Sequence, residues 1–409
     1  MFKKENCSCR RQHVFTIAHI IIESGAIGKN APIYNGDRIM EKILTAFCFT
    51  DIHNQQSMLD YPTTLRKSLI HAKELAIAEF GLADIAIIGG DNISDYPHWN
   101  KSCALPKKNF LDIKKKIHDC VSAGVKDGKV LYVAGNNDMI LGDIGTEENK
   151  PYNATDFYDI MDDSFGELPE TEKFVLISKD KPNEKYWGAF HYIVKGIDFI
   201  GINIAPDTAF NSHEGYYNEE TLLWVKRKLD EIDPTGNKTV FVVGHLSAIY
   251  YYNDGVLKET MENGNRSLFY SIFNGHRNTF YLYGHVHGER ACYKEYSSGA
   301  VLHINENNCP LDDNLNNLDS FGKKYSYSFV HMGGLRPFAS GFFEKDGVYG
   351  YGGENQIQYY PCTGTPTLAQ YLVFEVYKDR VVFTIRNAGS CLGYSINDKL
   401  KKYIVYLTK

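Results

Sequence analysis

Short apolar runs alternate with longer amphipathic segments through the first half of the chain. Continuous apolar runs over 43–50, 84–88 and 130–134 predict strands that are covered on both faces. Between them, apolar residues recur at helical spacing over 63–80 and 110–123, which predicts two amphipathic helices. This strand–helix order predicts a sheet with right-handed crossover connections.

The second half of the chain is richer in β structure. A helix is predicted over 218–232, where Glu219 and Glu220 lie in the first turn and suit the positive end of the helix dipole. Strands are predicted at 174–178, 187–194, 199–204, 239–243, 279–283, 301–304, 326–331, 370–377, 381–385 and 403–407. The pattern as a whole predicts a mixed α/β (α+β) fold.

The chain is long enough for one large domain or two ordinary ones, at 409 residues. We predict a single domain over 40–409, with a β-rich C-terminal part from about residue 291. Residues 1–39 are expected to be a loosely attached extension, or to precede a true start at Met40, which opens the first predicted strand.

Composition and charge narrow the classes of function. Apolar residues make up 43% and charged residues 23%, which is typical of a globular protein. The net charge of −6 argues against a nucleic-acid scaffold or a polybasic membrane anchor. No apolar run approaches the roughly 20 residues that a membrane helix needs. We therefore expect neither nucleic acid nor membrane as a partner.

The cysteines and the N-terminus bear on location. The nine cysteines are odd in number and scattered, as in a reduced cytosolic protein with incidental thiols. The apolar stretch 14–22 imitates a signal peptide, but His19 interrupts it and no clean cleavage site follows. We expect a cytoplasmic protein rather than a secreted one.

Polar motifs follow five of the apolar runs, each at the carboxyl end of a predicted strand. They are Asp51-Ile52-His53, Gly90-Asp91-Asn92, Gly135-Asn136-Asn137-Asp138, Gly244-His245 and Gly284-His285-Val286-His287. In α/β sheets the loops at that edge converge where ligands bind. The five motifs are therefore expected to meet in one cluster.

The side chains of these motifs suit two divalent metal ions. Asp51, Asp91 and Asn136 offer oxygen, and His53, His245, His285 and His287 offer neutral imidazole. A mixed oxygen and nitrogen set suits Mn²⁺, Fe or Zn²⁺ and is too rich in nitrogen for Ca²⁺ or Mg²⁺ alone. Seven ligands exceed the need of one ion, so two ions that share a carboxylate are predicted.

Taken together, the motifs resemble the metal-binding signature of the calcineurin-like metallophosphoesterase superfamily. The match covers roughly residues 43–290, in the order D-x-H, G-D-x-x-D, G-N-H-D/E, G-H and G-H-x-H. The resemblance implies a four-layered αββα sandwich with two mixed β-sheets and the metal site at the C-terminal strand ends. It also implies a first metal held by Asp51, His53, Asp91 and His287. The second would be held by Asp91, Asn136, His245 and His285, with Asp91 bridging.

Two positions depart from the family pattern. The second motif continues to Asp95 in a way that resembles the acid-sphingomyelinase-like and polyphosphatase-like branches. Asn137 stands where most members carry a histidine that contacts phosphate and is often assigned as the acid for the leaving group. Asparagine donates a hydrogen bond but delivers no proton at neutral pH. Either the leaving group needs little help or another residue serves, the candidates being Asp138, His98, His191 and His213.

The expected activity is hydrolysis of a phosphomonoester or phosphodiester bond in a small phosphorylated substrate. A hydroxide activated by two divalent metals would attack phosphorus without a protein nucleophile. The alternative is a non-catalytic protein-interaction scaffold that retains the fold. Such scaffolds usually lose ligands, whereas all seven are present here, and Asn137 alone favours that alternative. A metal hydrolase of some non-phosphate bond is a third reading that nothing in the sequence favours.

Overall fold

The structure, a computed structural model, describes two large β-sheets, two small two-stranded sheets and four helices. The residues described are 41–53, 65, 67–92, 107–136, 138, 171–177, 185–205, 216–246, 251–253, 256–258, 265–285, 301–303, 327–335, 342–345, 348–351, 369–388 and 401–408. The predicted extension at 1–39 lies outside them. Strands and helices are numbered in chain order.

The first sheet has six strands and is built from both ends of the chain. It contains β1 (Lys42–Phe49), β2 (Ile85–Ile88), β3 (Val130–Tyr132), β15 (Gln370–Tyr377), β16 (Arg380–Asn387) and β17 (Lys401–Tyr406). Its order is β17-β16-β15-β1-β2-β3. The strands β1, β2 and β3 run parallel, and β15 joins β1 in antiparallel register. The sheet is therefore mixed, as predicted.

The second sheet has seven strands. It contains β4 (Glu172–Ile177), β5 (Lys185–Val194), β6 (Ile197–Ile202), β7 (Val240–Val243), β10 (Thr279–Tyr283), β11 (Val301–His303) and β12 (Ser328–His331). Its order is β11-β12-β10-β7-β6-β5-β4, with β6, β7, β10 and β12 parallel. The small sheets pair β8 (Tyr251–Asn253) with β9 (Val256–Lys258) and β13 (Phe342–Lys345) with β14 (Val348–Tyr351).

The two large sheets pack face to face through aromatic side chains. Phe241 of β7 stacks on Phe374 of β15, with ring centroids 4.4 Å apart. Phe280 of β10 lies 5.3 Å from Phe383 of β16. Because these pairs join a strand of one sheet to a strand of the other, the main apolar core lies between the sheets.

Helices cover the outer faces of the sandwich. Helices α1 (Lys67–Phe80) and α2 (Lys107–Ser122) pack on the first sheet, and α3 (Glu219–Ile232) and α4 (Arg266–Ile272) pack on the second. The buried stripe of α1 is Leu69, Ala72 and Ala76, and that of α3 is Leu222, Val225 and Leu229. The predicted four-layered αββα sandwich is confirmed.

Most predicted elements are present with bounds shifted by a few residues. The predicted helix over 218–232 begins one residue later, because Asn218 is its N-cap and accepts a hydrogen bond from the Glu220 amide at 2.9 Å. Helix α4 and strands β8, β9, β13 and β14 were not predicted. Among the described residues, no helix is both long and apolar enough to cross a membrane.

Candidate metal centre

The carboxyl ends of five strands from both sheets meet at one edge of the sandwich. Strands β1, β2 and β3 lead to the motifs of the first sheet, and β7 and β10 lead to those of the second. Backbone hydrogen bonds join neighbouring loops there. The Asp51 amide donates to the Gly90 carbonyl at 3.0 Å, and the Gly284 amide donates to the His245 carbonyl at 3.0 Å. Parallel pairing therefore brings the motifs together, as the sequence predicted.

Four predicted ligands have left-handed backbone conformations. Their φ angles are 50° at Asp51, 42° at His53, 53° at Asp91 and 69° at His285. A residue with a side chain adopts positive φ uncommonly, at a cost on the order of 1 kcal/mol or more. Such strain persists where the surrounding structure enforces it and tends to cluster at functional sites. Here it accompanies the residues that carry the donor atoms.

The first donor cluster consists of Asp51, His53 and Asp91. One candidate ligand atom from each lies within 4.8 Å of the others, and all three side chains are buried. His53 Nε2 is 3.5 Å from Asp91 Oδ2 and 3.9 Å from Asp51 Oδ1. Thr50 supports this cluster, because its hydroxyl lies 3.0 Å from Asp51 Oδ2.

The second donor cluster consists of Asp91, His245 and His285, with their candidate atoms also within 4.8 Å of one another. His245 Nε2 lies 3.2 Å from Asp91 Oδ2 and 3.1 Å from Asn136 Oδ1. His285 Nδ1 lies 2.9 Å from the same Asn136 oxygen. Asp91 therefore belongs to both clusters.

This donor set fits divalent ions. When ligands lie about 2.1 Å from an octahedral ion, neighbouring ligand atoms are about 3 Å apart. Within the second cluster and the adjoining Asn136, such atoms are 2.9, 3.1 and 3.2 Å apart. Carboxylate and amide oxygens with imidazole nitrogens are ligands for Mn²⁺, Fe and Zn²⁺. The residues present can thus hold metal at two adjacent positions.

The ring of His245 is oriented by a backbone acceptor. Its Nδ1 lies 2.7 Å from the Gly89 carbonyl oxygen, so the proton on Nδ1 is used there and Nε2 faces Asp91. Burial lowers the pKa of His245, but the carboxylates of Asp91 and Asp51 outweigh burial and raise the pKa to about 9. Without a metal ion, a proton therefore occupies the ligand position of this ring.

Asp91 carries the complementary charge. Burial raises the pKa of its carboxyl, but His245 outweighs burial and lowers the pKa below its ordinary value, while Asp51 opposes that effect. In the metal-free protein, Asp91 and His245 thus form an ion pair in a buried position. A divalent ion would take over the role of that proton.

Asp138 lies next to these ligands with both carboxylate oxygens engaged. Oδ1 accepts the Asn92 amide at 2.8 Å, and Oδ2 accepts the Asn92 side-chain amide and the Gly135 backbone amide, each at 3.0 Å. Burial and then the negative charge of Asp91 raise the pKa of Asp138 to about 6. The sequence put Asp138 forward as a catalytic residue. The structure gives it the contacts of a group that ties the second motif to the third.

Six of the seven predicted metal ligands are brought together: Asp51, His53, Asp91, Asn136, His245 and His285. The seventh, His287, and the catalytic candidate Asn137 lie outside the described residues, as do the candidate proton donors His98 and His213. His191 is placed elsewhere. Its Nε2 lies 2.8 Å from Asp198 at the amino end of β6, the end opposite the motifs.

Two tyrosines that support the site were not predicted. The Tyr217 hydroxyl accepts the backbone amide of His245 at 2.9 Å, and it lies 2.8 Å from the Tyr281 hydroxyl. No spacing rule links a residue before a helix to a histidine 28 positions later.

No family model matches the chain, and the search of curated proteins finds no match. Among solved structures, the chain is similar to a dimetal phosphatase from Danio rerio at 12% identity, covering 90% of this chain and 100% of that chain with a TM-score of 0.45. It is similar to GAP50, the anchor in the inner membrane complex of Plasmodium, at 10% identity, covering 90% of each chain with a TM-score of 0.42.

A third similar structure is Vacuolar Protein Sorting 29 from Cryptosporidium parvum. The identity is 9%, the match covers 90% of this chain and 100% of that chain, and the TM-score is 0.30. Since these identities are near one-tenth, the fold assignment rests on the sheet order and the layers of this chain itself. Those layers have the arrangement that the sequence resemblance implied.

Proposed function

We propose that this protein is a metal-dependent hydrolase of phosphoester bonds with two divalent ions in its active site. The observation that carries the proposal is the pair of donor clusters that share Asp91 at one edge of the sandwich. A single structural ion would need one cluster. Two adjacent clusters suit in-line hydrolysis of a phosphoester, in which the attacking and leaving oxygens both carry negative charge.

When bound, the two ions supply hydroxide near neutral pH and offset charge on the phosphoryl oxygens. The chain contributes a rigid frame for them. Asp91 presents one carboxylate to both clusters, and the Gly89 carbonyl fixes the ring of His245. Asp138 holds the Gly135 amide, so that the neighbouring Asn136 oxygen stays 2.9 Å from His285. Burial of these groups excludes competing water.

The substitution at position 137 bears on the class of substrate. An asparagine at that position can donate a hydrogen bond to a phosphoryl oxygen but has no proton to deliver. We propose that the preferred leaving groups are ones that depart as weakly basic anions, such as phenolates or phosphates. Small phosphorylated molecules of this kind are the proposed substrates, and Mn²⁺, Fe or Zn²⁺ the proposed metals.

The second candidate is a protein-interaction scaffold with the same fold but no catalysis. Asn137 favours it, because a group often used as the acid is replaced. Both donor clusters oppose it, since a scaffold has no need to keep six convergent candidate ligands, four of them in strained backbone conformations.

Metal analysis combined with two chromogenic substrates separates the two candidates. We expect the full chain, dialysed against Mn²⁺, to retain two ions and to hydrolyse p-nitrophenyl phosphate or its bis ester. The variant His245→Gln should lose both an ion and turnover. The matched control His191→Gln also removes a histidine that pairs with an aspartate, but at the other edge, and should keep both.

Two ions per chain without turnover of either ester would support the scaffold. Fewer than two ions would remove the basis of the proposal. Equal turnover in His245→Gln and His191→Gln would show that the second cluster has no part in the reaction.

A further inference from the structure

Two buried tyrosines hold the backbone that carries His245. Tyr217 lies just before the N-cap of α3, and Tyr281 lies in the middle of β10, the strand that leads to His285. Their side chains are 1% and 0% exposed, and their hydroxyl oxygens are 2.8 Å apart. A tyrosine pair this deep in an apolar core needs a partner for every polar atom.

The hydrogen bonds of the tyrosine pair have only one possible assignment of donors and acceptors. The Tyr281 hydroxyl donates to the Leu246 carbonyl at 2.7 Å, which uses its only proton. Tyr217 must then donate to the Tyr281 oxygen. The Tyr217 oxygen accepts the backbone amides of His245 and Leu246, each at 2.9 Å. All four bonds require both hydroxyls to be neutral.

The hydroxyls stay neutral in this environment. Burial raises the pKa of Tyr217, and although hydrogen bonds oppose burial, the pKa is about 12. Burial also raises the pKa of Tyr281 well above its ordinary value. The hydrogen-bond set is therefore unchanged over the pH range in which histidine ligands bind metal.

The backbone and the ring of His245 are thus anchored separately. Tyr217 holds its amide, and the Gly89 carbonyl holds its Nδ1 at 2.7 Å. The preceding residue, Gly244, lies close against the pair, because a Cβ there would overlap both tyrosine hydroxyls. With both ends fixed, Nε2 is held 3.2 Å from Asp91 Oδ2.

We infer that Tyr217 and Tyr281 are positioning residues that set the metal affinity of the second donor cluster without touching the ion. The inference rests on the proposed function. The hydroxyl pair contacts the loop of His245, and the first cluster takes its ligands from the ends of β1 and β2 instead. Loss of the pair should therefore weaken one ion and spare the other.

The experiment is a titration of the metal-free chain with Co²⁺, in which binding is measured by calorimetry and by visible absorption. The variants are Tyr217→Phe and Tyr281→Phe, which keep the ring and remove the hydroxyl. The control is Tyr327→Phe, also fully buried in the same apolar core, whose hydroxyl donates to the Tyr270 carbonyl at 3.2 Å. The binding event that disappears in His285→Gln identifies the second cluster.

We expect Tyr217→Phe to weaken the second-cluster event by roughly 10- to 100-fold, as removal of an orienting partner of a ligand does. The Co²⁺ affinity of the first cluster should change by less than about twofold, because an orienting partner acts on the ligand that it contacts. Tyr281→Phe should have a smaller effect in the same direction, because the Tyr217 oxygen still accepts both amides. Tyr327→Phe should bind both ions as the natural chain does.

Unchanged affinities in Tyr217→Phe and Tyr281→Phe would overturn the inference and leave the proposed function standing. Equal weakening of both ions would also overturn it, as would unfolding of both variants under conditions where Tyr327→Phe stays folded. If the natural chain itself binds fewer than two Co²⁺ ions, the proposed function and the inference fall together.

Discussion

Strand β2 carries an aspartate at each end, and the two have opposite surroundings. Asp84 precedes the strand and Asp91 follows it, and their side chains are 6% and 1% exposed. Asp84 faces lysines, with Lys126 Nζ at 2.9 Å and Lys195 Nζ at 2.7 Å. Asp91 faces His245 and the carboxylate of Asp51.

The two aspartates differ in whether the charge that balances them is permanent. Burial raises the pKa of Asp84, but Lys195 and Lys126 outweigh burial and lower the pKa, so its charge is always balanced by ammonium groups. The balance at Asp91 depends on His245, which would give up its proton if it bound a metal ion as we propose. One end of the strand holds a charge with permanent partners, and under the proposed function the other end exchanges a proton for a metal ion.

The largest effect is expected from Asp91→Asn. An amide cannot replace a carboxylate shared by two clusters, so both ions should be lost and phosphoester hydrolysis should fall by more than about 100-fold, beyond the loss expected from an orienting residue. Metal content and turnover measure this. The metal-free variant should fold, because the change also removes the repulsion from Asp51. If the variant retained both ions, Asp91 would not be a ligand that they share.

A smaller effect is expected from Asp138→Asn. The carboxylate of Asp138 now accepts hydrogen bonds from N–H groups of Asn92 and Gly135. In the variant, an NH2 group would replace one of the accepting oxygens, so the loop that carries Asn136 should lose a supporting hydrogen bond. Metal affinity should fall by about 10-fold, within the range for residues that orient ligands. Calorimetry with Mn²⁺ measures it. If turnover vanished while affinity stayed unchanged, Asp138 would act on substrate directly.

At the other end of β2, Asp84→Asn should leave the metal affinity unchanged. It should lower the free energy of unfolding by about 1 to 2 kcal/mol, compared with about 1.5 to 3 kcal/mol for typical hydrogen bonds to a charged group. The value lies at the low end because Lys126 and Lys195 are half-exposed and regain water. Urea unfolding measures it. A change in metal affinity would contradict the separation of the two ends.

A pH dependence is expected without any substitution. The raised pKa of His245 stabilises the metal-free chain below pH about 6.5, and this contribution is lost as pH rises through about 9. Metal binding releases that proton, so affinity should rise by up to about tenfold per pH unit over this window. Melting with and without Mn²⁺ at pH 6, 7 and 8 should show a widening difference.

The pH profile has an internal control at the other end of the strand. The lowered pKa of Asp84 contributes stability above its ordinary pKa, and that contribution is lost only as pH falls through the lowered value. Asp84→Asn should therefore keep the shape of the profile between pH 6 and 8. A flat profile in the natural chain would show that His245 binds no ion.

Local patterns predicted the central strands well because they are continuous apolar runs, such as β10, whose residues are all buried. Strand β10 has the predicted bounds of Thr279–Tyr283, and β15 has those of Gln370–Tyr377. The positions of the six described candidate ligands were predictable for a related reason. Each follows a parallel strand, so the geometry of the sheet determines where it lies.

Pairings across long sequence separations could not be predicted. Strand β15 pairs with β1, although over 300 residues lie between them, and no local pattern encodes that choice. Helix α4 is only seven residues long, too short for a periodic signal to stand out. The contact between Tyr217 and Tyr281 joins two elements through hydroxyl groups, and sequence periodicity carries no information about such a contact.

The positive φ angles of four candidate ligand residues set thermal stability against metal binding. Glycine at position 51, 53, 91 or 285 would relieve backbone strain on the order of 1 kcal/mol at each site and would also delete a donor atom. A laboratory selection for thermostability without metal would therefore drift toward glycine there and yield a robust but inert protein. Selection in the presence of metal would protect the same positions, because the bound ions would then hold the folded state together.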